Sequence, residues 1–154
     1  MTRVLFVCTG NICRSPTAEA VARTMAAGRG GTANLEFDSA GIEGYHVGEP
    51  PDRRAITQGR MRGYDLSGLR ARRVTPQDFE AFDLILAMDG GHFEALQHLC
   101  PPQHQHKVQM FDHDDVPDPY SGDERDFAVV LDICETVVAR WLAEIGATSA
   151  DDPA

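Results

Sequence analysis

Residues 3–16 read Arg3-Val4-Leu5-Phe6-Val7-Cys8-Thr9-Gly10-Asn11-Ile12-Cys13-Arg14-Ser15-Pro16. The stretch begins as a short apolar run and stops at Thr9-Gly10-Asn11, which predicts a buried strand entering a tight loop. Ser15-Pro16 then opens a helix, because Ser is a good N-cap and Pro suits the first helical position. Ala18, Val21, Ala22 and Met25 give that helix an apolar stripe, and the run Gly28 to Gly31 ends it.

Further along, Leu35 to Ser39 predicts a second strand, closed by Ala40-Gly41. A loop carrying Gly44, Gly48, Pro50 and Pro51 precedes a helix over residues 52–62. Leu84-Ile85-Leu86-Ala87-Met88 predicts a buried strand, Gly90 to Leu99 a helix, and Val108 to Phe111 a weaker fourth strand. After an acidic, proline-containing loop from Asp112 to Asp123, Phe127, Val130, Leu131, Cys134, Val138, Trp141, Leu142 and Ile145 recur at helical spacing. The tail from residue 146 to 154 reads as frayed. Strands alternating with helices predict an α/β fold whose parallel sheet is covered on both faces. There is no repeat and no linker, so residues 1–154 form one domain. In such folds ligands sit beyond the carboxyl ends of strands, against helix N-termini, which is where Cys8 to Ser15 falls.

With 154 residues, 42 % of them hydrophobic and 25 % charged, the composition is that of a soluble globular domain. Val4 to Val7 is too short for a membrane span or a signal-peptide core. Four cysteines without an export signal do not make a disulfide scaffold, so a cytoplasmic protein is expected. The formal net charge of −10 argues against nucleic acid and anionic membrane as partners. That charge is unevenly spread: residues 1–75 net +4 and residues 76–154 net −14. The cations needed to hold an anion therefore lie in the first half.

The stretch from Cys8 to Ser15 is a cysteine, five residues, an arginine and a serine, and each part has a task in phosphate-ester cleavage. Backbone N–H groups of Thr9, Gly10, Asn11, Ile12 and Cys13 can turn inward as an anion nest ahead of a helix N-terminus. Gly10 is expected to supply the positive φ such a loop needs. The Arg14 guanidinium can hold two phosphate oxygens in a planar fork. Such surroundings favour a thiolate at Cys8, a charged nucleophile at neutral pH. The departing oxygen needs a proton, and a carboxylic acid can supply it before acting as base on water. Asp118 is the best placed of Asp112, Asp114, Asp115, Asp118 and Asp123, because Pro117 and Pro119 restrict the backbone on both sides of it. Tyr120 can wall the cleft. His98, Cys100, His104, His106 and His113 cluster in sequence without zinc spacing, so no metal site is expected.

These residues resemble the low-molecular-weight protein tyrosine phosphatases along nearly the whole chain. Val7 to Pro16 is similar to the family's phosphate loop. Ser39-Ala40-Gly41, Asp52-Arg53-Arg54-Ala55, Asp78-Phe79, Phe82 to Asp89 and Val116-Pro117-Asp118-Pro119-Tyr120 follow in family order. The resemblance implies a four-stranded parallel sheet flanked by helices, with no cofactor. It implies hydrolysis of phosphotyrosine through a phospho-cysteine on Cys8, with Arg14 as phosphate clamp and Asp118 as general acid. Asn11 and Ser15 would brace the loop and the thiolate, with Ser39 nearby. Ile12, Tyr45 and Tyr120 would select a flat aryl phosphate, and a reversible Cys8–Cys13 disulfide would spare the nucleophile from irreversible oxidation.

Expected partners are tyrosine-phosphorylated proteins, a tyrosine kinase among them, with phosphate and similar oxyanions as inhibitors. The protein is expected to be a monomer or to self-associate weakly.

Three departures from the family pattern stand out. Leu69 replaces a histidine that supports the loop asparagine in many members, so Asn11 needs another partner. His92 stands where Asn is common, and Ser121 where some members carry a second Tyr. Two related chemistries fit less well. Thioredoxin-coupled arsenate reductases need two further cysteines close together, whereas Cys100 and Cys134 are far apart in sequence. Arginine-phosphate phosphatases tend to carry Thr where Ile12 stands. A phosphotyrosine-binding module without turnover would need neither Cys8 nor Asp118.

Overall fold

Side chains along the first strand point alternately into two cores, and this alternation organises the molecule. The computed structural model describes the backbone of residues 1–28 and 34–150, with side chains in those ranges up to residue 146. Four strands, β1 (Thr2–Cys8), β2 (Leu35–Gly41), β3 (Leu84–Ala87) and β4 (Val108–Met110), pair in the order β2-β1-β3-β4. Every pairing is parallel, as the alternation of elements requires. Val4, Phe6 and Cys8 face one core and Leu5 and Val7 the other. β3 splits likewise, with Leu86 on the first side and Ile85 and Ala87 on the second.

The first core is closed by α1 (Arg14–Gly28), α2 (Arg53–Met61) and α5 (Glu124–Ala150). Its α5 face is the predicted stripe, with Phe127, Val130, Leu131, Cys134, Val138 and Leu142 buried and Trp141 and Ile145 half-buried. The backbone of α5 continues through Gly146 to Ala150, and residues 151–154 lie outside the described residues. The predicted end of α1 at Gly28 to Gly31 also falls partly there, since the helix is described to Gly28.

The second core is closed by α3 (Pro76–Ala81) and α4 (Gly90–Leu99), which contribute Phe79 and Leu96. The sequence reading left α3 out. It is one short element, started by a capping box in which Thr75 and Asp78 satisfy each other's backbone N–H groups. A 3-10 helix over Pro102–Lys107 was likewise not anticipated, and it buries no side chain.

The chain leaves β1 for one edge of the sheet and returns to β3 on the other side of β1. The loops after β1 and β3 thus flank the switch point, where open parallel sheets hold their ligands.

Candidate active site

The loop 9–13 joins the end of β1 to the start of α1. Among the described residues, the backbone N–H groups of residues 10–13 find no protein acceptor, so they are left for an anion. The residue that turns the loop is Asn11, with φ of 60°, and not Gly10 as expected. Asn tolerates the left-handed region better than most residues, and here its side chain is fastened on three sides. Its Nδ2 donates to Ser15 Oγ and to Ser39 Oγ, each at 2.9 Å, and its Oδ1 accepts from the backbone N–H of Arg72 at 3.0 Å. The Arg72 amide is thus a partner for Asn11 in a chain with Leu69 where many members have histidine. Leu69 itself packs half-buried against the first core. Gly10 is small for a different reason: a Cβ there would stand 2.8 Å from His46 Cδ2.

Below the loop the polar contacts continue. Ser39 Oγ donates to the buried Glu19 Oε1 at 2.6 Å, and Arg23 holds the other oxygen at 2.8 Å. Burial raises the Glu19 carboxyl above its usual range, against the pull of Ser39 and Arg23. Because Asn11 donates to Ser15 Oγ, the Ser15 hydroxyl hydrogen is free to point at Cys8 Sγ, 2.9 Å away. Asn11→Ala removes two buried hydrogen bonds and a partly buried one, and leaves a strained left-handed alanine. We expect it to lower stability by about 3 kcal/mol, read as a drop in the urea midpoint at unchanged slope.

Arg14 is buried, and one end of its fork is occupied. Nη1 donates to Asp89 Oδ2 and to the Val116 carbonyl, both at 2.9 Å. Nη2 makes only longer contacts, 3.4 Å to Thr9 Oγ1 and 3.9 Å to Asp118 Oδ2, and stays available to an oxyanion. Asp89 is the N-cap of α4 and also accepts from the His92 backbone N–H. Burial alone would raise the Asp89 carboxyl. The His92 N–H bond, the His92 ring and the Arg14 guanidinium overcome burial and hold it below its ordinary value.

These elements enclose a cleft of about 190 Å³ lined by Cys8, Thr9, Gly10, Ile12, Cys13, Arg14, Tyr45, His46, Asp118 and Tyr120. Cys8, Arg14, Asp118, Tyr45 and Tyr120, all singled out from the sequence, therefore share one cleft, while Asn11, Ser15 and Ser39 lie buried. Tyr45 and Tyr120 are 74 % and 52 % exposed, so both rings are free to settle on a flat group. Cys13 is buried, and burial pushes its thiol up, so it is protonated at neutral pH.

His46 is a rim residue that sequence reasoning missed. Its ring lies 6.4 Å from that of Tyr120 and pairs with Glu49 through Nδ1. Asp89, His92 and the Val116 carbonyl were also not anticipated as site elements. Asp89 and Val116 fall inside matched motifs and His92 is a departure from the family pattern, but none of these signals says that they touch Arg14 or Thr9.

Among the described residues, no group of three or more His, Cys, Asp and Glu side chains is arranged to hold a metal ion. Nor is any helix long and apolar enough to cross a membrane.

The family described as "Low molecular weight phosphotyrosine protein phosphatase" matches residues 3–150. The low molecular weight protein-tyrosine-phosphatase YfkJ of Bacillus subtilis is 39 % identical over 152 residues, covering 94 % of this chain and 96 % of that one. The crystal structure of a protein tyrosine phosphatase from Entamoeba histolytica, with Hepes in its active site, superposes with a TM-score of 0.93 at 36 % identity. That match covers 97 % of this chain and 99 % of the other. Wzb of Vibrio vulnificus, solved in complex with benzylphosphonate, gives 0.84 at 30 % identity over 93 % and 98 % of the two chains. A strand-loop-helix phosphate cradle, an arginine held from behind and this likeness over almost the full length together place the chain in the low molecular weight phosphotyrosine protein phosphatase family.

Proposed function

We propose that the chain hydrolyses phosphotyrosine in proteins by two in-line phosphoryl transfers, with Cys8, Arg14 and Asp118 as its chemical groups. The observation that carries this reading is their convergence in one cleft with an exposed aromatic wall. In the first step the Cys8 thiolate attacks phosphorus, the P–O bond to the tyrosine breaks, and Asp118 gives its proton to the departing phenolate oxygen. In the second, water attacks the phospho-cysteine, Asp118 takes a proton from it, and Cys8 leaves as thiolate with release of phosphate. Arg14 Nη2 and the loop N–H groups balance charge on the equatorial oxygens through both steps. The Ser15 hydroxyl steadies the thiolate as nucleophile and as leaving group. The benzylphosphonate of the Vibrio relative is consistent with a benzylic or aryl group between Tyr45, Ile12 and Tyr120.

The test varies the leaving group. Asp118→Asn slows an ester with a basic phenolate, such as phosphotyrosine, by roughly 10²–10⁴-fold in kcat. It slows a nitrophenyl ester, whose phenolate needs little help from a proton, far less. Equal losses on both esters would remove Asp118 from the acid role. Phosphoarginine and arsenate, run alongside, check the rival substrates.

The substrates of this reading are cytoplasmic tyrosine-phosphorylated proteins, a kinase included. All four cysteines are unpaired in the structure, which suits a reducing compartment. Cys8 and Cys13 line the same cleft, and the reading includes a protective disulfide between them. Mild peroxide then inactivates wild type reversibly. Cys13→Ser, given the same dose and then dithiol, stays inactive. Equal recovery of the two proteins would exclude the disulfide.

A further inference from the structure

The ring of His92 is buried on α4 behind the phosphate loop, in a position the mechanism above does not use. Its Nε2 lies 2.7 Å from Thr9 Oγ1, and that same oxygen accepts from Arg14 Nη2 at 3.4 Å. Its Nδ1 is buried without a hydrogen-bond partner and lies 3.2 Å from Asp89 Oδ1, whose sister oxygen holds Arg14 Nη1. Both ends of the imidazole therefore meet groups that touch the Arg14 guanidinium, one at each terminal nitrogen.

The charge on Asp89 sets the tautomer. An N–H beside a carboxylate is favourable even off the line of a hydrogen bond, and a lone pair beside it is not, so the nearness of Asp89 favours the ring proton on Nδ1. Nε2 is then an acceptor, and the only hydrogen it can accept at 2.7 Å is that of the Thr9 hydroxyl. With its hydrogen committed to His92, Thr9 Oγ1 turns its lone pairs toward Arg14 Nη2, the end of the fork left for phosphate.

We propose that His92 is a positioning residue for oxyanion binding, acting through Thr9 to aim the free end of the Arg14 fork. The proposal rests on the reading of Arg14 as phosphate clamp. A protonated ring would reverse the arrangement: Nε2–H would donate to Thr9 and compete with Arg14 for its lone pairs. The charged groups that act on the ring are Asp89 at the start of its own helix, Arg14 on α1, and Asp118 and Asp115 in the acidic loop. Burial, helped by the Arg14 charge, outweighs the three carboxylates and lowers the His92 value below the usual histidine range, so the ring is neutral at pH 7. The reversal belongs to the acid side of that range.

The probe is inorganic phosphate as a competitive inhibitor of aryl phosphate turnover, measured from pH 5 to pH 8. At pH 7, His92→Phe keeps the ring volume but loses the acceptor, and should weaken phosphate binding and kcat/KM about tenfold, the worth of one hydrogen bond to a charged group. His92→Gln places an amide oxygen near the position of Nε2 and should recover both to within about threefold of wild type. It should also lose the weakening of phosphate binding expected of wild type once the ring is protonated, since an amide does not titrate. Thr9→Val removes the hydroxyl and leaves His92 in place. It should reproduce the loss, and His92→Phe should add nothing to it.

Should His92→Phe fail to fold, Thr9→Val and His92→Gln still decide. Wild-type phosphate affinity in Thr9→Val, or an unaltered pH profile in His92→Gln, overturns the proposal. If Arg14→Lys binds phosphate as tightly as wild type, the clamp reading fails, and the proposal with it. If Arg14→Lys loses phosphate while His92→Phe and Thr9→Val do not, only the role of His92 is wrong.

Discussion

Cys8→Ser is expected to abolish turnover of aryl phosphates, with kcat falling on the order of 10⁵-fold or more. A serine alcohol is a far weaker acid and a poorer nucleophile than a thiol, so the variant has no anion to attack phosphorus. The fold should hardly notice. Cys8 is buried at the end of β1, and Ser is smaller by little and can keep the contact with Ser15 Oγ. The variant should therefore melt within a few degrees of wild type and still bind inorganic phosphate through Arg14 and the loop N–H groups. That combination separates loss of a nucleophile from loss of a site. A Cys8→Ser protein with more than a few per cent of wild-type turnover would mean that another group attacks.

Arg14→Lys carries the second large effect, and it acts on both chemistry and stability. One ammonium cannot serve Asp89, the Val116 carbonyl and a phosphate oxygen in the geometry of a planar fork. Loss of the transition-state contact should cut kcat/KM by about 10³-fold, at the low end of what a phosphoryl-clamping arginine supplies. Either Asp89 or the Val116 carbonyl then loses its partner, at a cost of about 1–3 kcal/mol. Stopped-flow turnover and thermal unfolding of the same preparation read the two losses separately. If activity fell and the melting temperature did not, the lysine would have to satisfy Asp89 and Val116 by itself.

Much of the fold was legible because its main signals are contiguous. β3 is an unbroken apolar run, β1 is one from Val4 onward, and α5 repeats its apolar residues at helical spacing. Two elements left no such trace. α3 is too short to show a period, although Thr75-Pro76-Gln77-Asp78 spells its cap. The 3-10 helix at residues 102–107 buries nothing, so hydrophobic pattern is silent there.

The candidate site divides in the same way. Its phosphate loop is one stretch of sequence, and Asp118 is marked by the prolines beside it. The supports of Arg14 come instead from residues 75 and 102 positions away, and His92 reaches Thr9 across 83. Spacing carries no information about contacts that only the closed sheet creates. Gly10 was misread for a related reason: composition shows that a glycine is present, while the fold decides whether its conformation or its size is being used.

The acidic loop is gripped mostly by its backbone. Arg14 takes the carbonyl of Val116, and Arg54, itself braced by Asp52, takes the carbonyls of Tyr120 and Gly122. Asp52 in turn donates its backbone N–H to Ile12 O, so the same arginine ties this loop to the phosphate loop. A carbonyl is present whatever side chain stands above it. The loop can therefore exchange its outward residues without losing its place, provided Asp118 stays. Tyr120 and Ser121 become positions where specificity can drift between relatives, or be redesigned, while Asp118 keeps its place in the cleft.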